Sequence, residues 1–222
     1  MIDFIGFGNS SKPENFSYDL MDQALICQEI ITSLDLKKVH IIGHSMGGMV
    51  GTLLLEIIPE RVLSLINMEG NLVLEDCGTS KDVEQFTFRE FHDKEFQKIQ
   101  ERIRKSSEPS AKYRLDWLHL IPDYVFYQSS LSIVKWSKSK KLLHIFLESK
   151  HKKLYVYSDR NKTKINSLRN KIQLAEIPNA GHFMLIDNFE NCLEQIERFL
   201  IYQNDKNKRE EKIFPYFFLR KK

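Results

Sequence analysis

The sequence is short of cysteine, of net charge and of long apolar runs, and each shortage excludes something. Only three of its 222 residues are cysteines, Cys27, Cys77 and Cys192. An odd number without CxxC spacing makes neither a disulfide framework nor a paired-thiolate metal site. It predicts reduced, part-buried thiols in a cytoplasmic protein. Lys and Arg number 33 against 30 Asp and Glu, a net charge of +3. The two signs are interspersed, so no nucleic-acid partner is expected. No apolar run approaches the ~18 residues of a membrane span. The opening, MIDFIGFGNSSKP, has neither a basic n-region nor an apolar h-region and is not expected to be a signal peptide. What is present is an ordinary globular composition, 42% hydrophobic and 28% charged, with enough apolar residues for a core. The length predicts one domain with an insertion.

Strand and helix signals alternate along the first third. MIDFIGFG reads as a short apolar strand running into glycines. Leu20, Ala24, Cys27, Ile31 and Leu34 recur at helical spacing over residues 17 to 35, with Ser17 available as a cap. KKVHIIG is a continuous apolar run, the pattern of a strand buried on both faces. A helix follows Ser45 and ends near Pro59, because proline cannot continue a helix interior. RVLSLINMEG is the next strand. The alternation predicts an α/β fold with a mostly parallel sheet flanked by helices. Residues 72–148 lose this pattern and read as helices rich in aromatic residues. KLYVY (153–157) and IQLAEI (172–177) resume the strands, and Phe189, Leu193, Ile196 and Leu200 share one face of a last helix. The expected division is a core of 1–71 and 149–202, a helical insertion of 72–148 and a tail of 203–222. The tail is expected to be disordered, the alternative being that IFPYFFL docks on the core or a membrane surface.

Gly43-His44-Ser45-Met46-Gly47 fits G-x-S-x-G. A strand turning sharply into a helix forces the serine into a strained conformation, and glycines two residues either side are expected to prevent clashes. The serine then stands at the carboxyl end of the sheet. The helix N-terminus favours developing negative charge there, with the Met46 N–H as an oxyanion donor. The competing reading is a structural serine in a tight turn.

DFIGFGNSSKP, VHIIGHSMGGMV, PERV and IPNAGHFMLIDNFE stand in an order and at distances that resemble the α/β-hydrolase family. The resemblance covers residues 1–71 and 149–201. It implies a cap domain between them, a serine hydrolase acting on an ester-like small molecule, no metal and no organic cofactor. It also implies a nucleophile, an acid and a histidine in that chain order. His182, in NAGH, is the histidine so placed; an imidazole, with an ordinary pKa of ~6.5, can take a serine proton and return it to a leaving group. His40 and His44 are expected to pack, and His92, His119, His144 and His151 to lie on the surface or line a pocket.

The acid has two candidates. The family's usual slot is filled here by Asn161, which carries no charge, and Asp159 lies two residues early. A second solution, similar to that of some haloalkane dehalogenases, places the acid after the strand that follows the nucleophile helix. That position is Glu69, at the end of an apolar strand where a carboxylate otherwise has little reason to be. Ser45, Glu69 and His182 are therefore the expected set, with Asp159 the alternative acid; a merely structural Glu69 would satisfy backbone N–H groups. The segment MIDFIGFG resembles the family's fourth strand, and segments resembling the first three do not precede it. Their absence is expected to shift residues 2–5 onto Val39–Ile42 or leave an open ladder edge, and to leave Met46 without a second oxyanion donor. A catalytically impaired remnant and a ligand-binding protein of the same fold remain the alternative functions. The aromatic insertion, including Phe86, Phe91, Trp117, Phe126 and Trp136, suggests an apolar pocket or simple packing.

Overall fold

The computed structural model describes residues 1–204; the expected tail lies from residue 205 onward outside the described residues. In chain order the elements are α1 (Leu20–Ser33), β1 (Val39–His44), α2 (Met46–Ile57), β2 (Val62–Met68), α3 (Thr79–Val83), α4 (Phe88–Glu90), α5 (Phe96–Arg104), α6 (Ala111–Leu118), α7 (Asp123–Lys138), α8 (Lys141–Glu148), β3 (Lys152–Ser158), β4 (Gln173–Ile177), α9 (Met184–Asp187) and α10 (Phe189–Asn204). The four strands form one sheet in the order β1-β2-β3-β4. Every pairing is parallel.

The two central strands, β2 and β3, are covered on both sides and read as apolar runs; β1 is an edge strand, mostly half-exposed with Ile42 exposed, so the expectation that KKVHIIG is buried on both faces is not met. Leu65, Tyr155 and Tyr157 meet α1, α2 and α8 through Leu20, Ala24, Leu53, Leu54 and Phe146. The other face presents Ile66, Met68, Leu154, Val156 and Ile177 to Cys192, Ile196 and Phe199 of α10. Cys27, Cys77 and Cys192 are all buried and free, and burial pushes the Cys27 thiol up to about 11 and the Cys192 thiol, by burial and then the Asp187 charge, up to about 12. Among the described residues no helix is long and apolar enough to cross a membrane.

The expected first strand does not form. Phe7 N–H donates to Phe4 C=O and Gly6 N–H to Ser11 C=O, so the segment folds into turns. Its backbone is held by a side chain instead. The buried Gln23 amide donates to Ile5 C=O at 2.8 Å and accepts from Ile5 N–H at 3.2 Å, mimicking one rung of a ladder. Among the described residues β1 pairs only with β2, and Ile42 on its open edge is exposed. Helix α1 also starts later than Ser17. Tyr18 has φ 54°, outside the helical range, and Asp19 becomes the cap by accepting from Met21 N–H at 3.0 Å.

Between β2 and β3 the chain is helical, as expected. Phe88–Glu90 and Phe96–Arg104 are joined through a π-helical turn, Phe91–Glu95. The aromatic residues of this region chiefly pack against one another. Phe91 is fully buried and stacks on Phe126 with ring centroids 6.0 Å apart, and Trp117 stacks on Phe7. The insertion is fastened to the N-terminal segment: Tyr124 Oη–H donates to Lys12 C=O, Ser132 Oγ accepts from Leu20 N–H, and Trp136 Nε1–H donates to Asp19.

Candidate active site

The carboxyl edge of the sheet gathers the residues singled out above. Ser45 follows β1, Glu69 follows β2, Ser158 ends β3, and His182 lies in the loop after β4. Adjacent strands therefore deliver adjacent side chains. Ser45 has φ 53° and ψ −121°, a conformation that L residues adopt only when their surroundings enforce it. The enforcement is visible: Ser45 N–H donates to Met68 C=O at 2.9 Å, and Ser45 C=O accepts from Gly48 N–H at 2.9 Å. A Cβ on Gly43 would lie 2.2 Å from the Gly47 carbonyl oxygen, so only glycine fits there. At Gly47 the expected side-chain clash is not found. A Cβ there would meet nothing nearer than Phe4 at 4.0 Å; it is the Gly47 backbone, approaching Gly43, that makes the turn tight. As the first helical residue of α2, Met46 has no intrahelical partner for its N–H.

Glu69 is likewise at positive φ, 51°, with its N–H donating to Val156 C=O at 3.0 Å. Its side chain is 0% exposed. One oxygen accepts from Ser158 N–H (2.8 Å), Ser158 Oγ–H (2.7 Å) and Asn161 Nδ2 (3.0 Å). The other accepts from Asn161 Nδ2 and from His182 Nδ1, both at 2.8 Å. Burial alone would raise this carboxyl. The hydrogen bond and charge of His182, with the Ser158 donors, outweigh it and hold Glu69 down at about 2. An ionised carboxylate only accepts, so Nδ1 carries the ring proton. In the neutral ring Nε2 is then the acceptor, and Ser45 Oγ–H donates to it across 3.0 Å.

Ser45, His182 and Glu69 thus stand in hydrogen-bond sequence. Asp159 does not reach this chain. Its carboxylate accepts from Asn179 N–H at 2.9 Å and Ala180 N–H at 3.3 Å, and these donors, Asn179 foremost, keep it below the ordinary carboxylate range. Asn161, at the position where the resemblance expects a carboxylate, donates to Glu69 instead. His44 packs as expected, its ring 4.8 Å from that of His182 and its Nε2–H donating to His182 C=O at 2.7 Å. His40 bonds Ser64 Oγ and His151 donates to Pro59 C=O. Among the described residues no three His, Cys, Asp or Glu side chains are grouped to hold a metal ion.

Sequence reasoning missed Asn67. It is fully buried, donates to Gly48 C=O at 3.2 Å and accepts from Gly70 N–H at 2.7 Å. It therefore ties the start of α2 to the turn that carries Glu69. A polar residue inside the apolar stretch LSLINM was the available signal.

A sharp strand–turn–helix at the edge of a parallel sheet, with an acid and a histidine delivered by later strands, defines one class of protein. The alpha/beta hydrolase fold family model matches residues 1–189, and the chain belongs to that family. A Haemophilus influenzae protein with the provisional name esterase/lipase is 40% identical over 82 residues, which is 37% of this chain and 28% of that protein; the chain thus matches under a third of that relative's length. Among solved structures, a carboxylesterase of Nitrososphaera gargenis superposes with a TM-score of 0.73 at 15% identity, over 92% of this chain and 79% of the other. An esterase from Exiguobacterium antarcticum gives 0.71 at 18% identity, over 90% and 80%. At these identities the structural matches speak to the fold.

Proposed function

We propose that the protein is a serine hydrolase acting on the carbonyl of an ester-like small molecule. The carrying observation is the continuous hydrogen-bond sequence Ser45 Oγ to His182 Nε2 (3.0 Å) and His182 Nδ1 to Glu69 (2.8 Å). In this reading Ser45 Oγ attacks the carbonyl carbon while its proton passes to His182 Nε2. The tetrahedral oxyanion is met by the Met46 N–H at the start of α2. His182 then returns the proton to the departing alkoxide, leaving an acyl ester on Ser45. Water, deprotonated by the same nitrogen, repeats the sequence and releases the acid. Glu69 keeps the ring in the tautomer that accepts at Nε2 and stabilises it once protonated. The helices between β2 and β3 act as the cap over this edge.

Labelling with a fluorophosphonate, followed by intact mass, tests the reading. One adduct per chain, lost in Ser45→Ala, is expected, together with turnover of short acyl esters. A folded wild-type chain that takes no label would overturn it. Stoichiometric labelling without turnover of any ester would favour a ligand-binding protein built on the same site.

A further inference from the structure

The loop that carries His182 is held by two carboxylates outside the relay. Three successive N–H groups are engaged: Asn179 and Ala180 donate to Asp159, and Gly181 donates to Asp187 at 2.9 Å. Asp187 closes α9, five residues after His182. Its second oxygen faces the opposite way, accepting from Ser110 N–H at 3.0 Å across the boundary to the helical insertion. Ser110 is fully buried and occupies the N-cap position of α6.

The contacts around this bond all join the same two segments. Arg114, one turn into α6, places its guanidinium carbon 5.1 Å from the Phe183 ring centroid, on the residue after His182. Glu108 pairs with Arg114 and reaches Arg160 at 3.5 Å, next to Asp159. Residues 108–114 of the insertion therefore grip residues 181–187 through a charge-assisted hydrogen bond and a cation–π contact, with an ion pair to Arg160 beside them.

We infer that Asp187 is a positioning residue that latches the helical insertion to the His182 loop, so that displacing the insertion loosens the residue on which Ser45 depends. This rests on the role proposed above for His182. Neither Asp187 oxygen bonds the ring; on the His182 side the carboxylate holds the Gly181 N–H, while the Asp187 N–H donates to Phe183 C=O at 3.1 Å. The carboxylate matters because it can accept from both segments at once; an amide in its place offers one acceptor and turns two donors toward the second N–H.

The test uses the full chain with Asp187→Asn and, from the other side of the latch, Arg114→Gln. Hydrogen exchange is followed in peptides spanning 105–115 and 178–188, beside fluorophosphonate labelling rates and the kinetics of p-nitrophenyl acetate hydrolysis. Asp187→Asn is expected to speed exchange in both peptides together. It is also expected to lower kcat and the labelling rate about tenfold, the scale of one lost charge-assisted hydrogen bond, with KM within about twofold. Arg114→Gln is expected to speed exchange at 178–188, although it has no bond to that backbone, and it carries the test if Asp187→Asn does not fold. Faster exchange confined to one peptide in Asp187→Asn, or an unchanged 178–188 peptide in Arg114→Gln, would overturn the latch. So would a wild-type labelling rate in Asp187→Asn. A wild-type chain that takes no label defeats the hydrolase reading alone, because the exchange measurement reads the latch without catalysis.

Discussion

Replacing Glu69 by Gln changes one atom in a fully enclosed site, and its consequences follow from the donors around it. Ser158 N–H, Ser158 Oγ–H and Asn161 Nδ2 all point at the carboxylate, so the glutamine oxygen is drawn to them. The new NH2 group is left facing His182 Nδ1. That nitrogen must then accept, the proton moves to Nε2, and Ser45 Oγ loses its acceptor. The expected loss in kcat is about 10³–10⁴-fold, the scale of a wrongly set tautomer. Stability changes as well. The carboxyl lies at about 2 rather than 4.5, which corresponds to about 3 kcal/mol favouring the ionised form in the folded state. Because the folded value is depressed, this stabilisation is complete above pH 4.5 and is lost as pH falls toward 2. The wild type should therefore be more stable than Glu69→Gln near neutrality, and the two should converge in acid. Urea unfolding at several pH values and ester turnover at neutral pH measure both effects. The paired variant Glu69→Gln, Asn161→Asp returns a carboxylate to the neighbouring position and is expected to regain part of the lost turnover. If Glu69→Gln alone hydrolyses ester within about threefold of wild type, the assignment of the acid is refuted.

Other substitutions probe the frame. Gly43→Ala drives a methyl to 2.2 Å from the Gly47 carbonyl oxygen; a loss of about 2–4 kcal/mol in urea unfolding is expected, with fluorophosphonate labelling impaired beyond what the lost stability accounts for. Gln23→Leu strands Ile5 N–H and C=O without their clamp and should cost about 1–3 kcal/mol, read as a fall in thermal midpoint. Ser137→Ala is expected to be neutral or to raise the midpoint slightly, because this buried hydroxyl has no hydrogen-bond partner among the described residues and the methyl removes its desolvation cost.

The turn at Ser45 was legible because all its causes lie within ten residues: an apolar run, a glycine that admits a backbone, and a helix. The parallel α/β pattern was legible too, since covering the central strands β2 and β3 on both sides leaves continuous apolar runs in the sequence. The N-terminal segment deceived because its apolar run describes burial equally well in a turn; only the placement of Gln23 decided that a side chain would satisfy its backbone. Glu69 was preferred to Asp159 on a local signal, a carboxylate ending an apolar strand; its meeting with His182, 113 positions away, is a contact that no local pattern displays. The strand order β1-β2-β3-β4 puts Glu69 beside Ser158 and beneath His182, and it turns Asp159 to the backbone of the loop instead. Local chemistry, written in neighbouring residues, determined where a nucleophile could stand. Which carboxylate would face its histidine was decided by the register of the sheet, which no local pattern encodes.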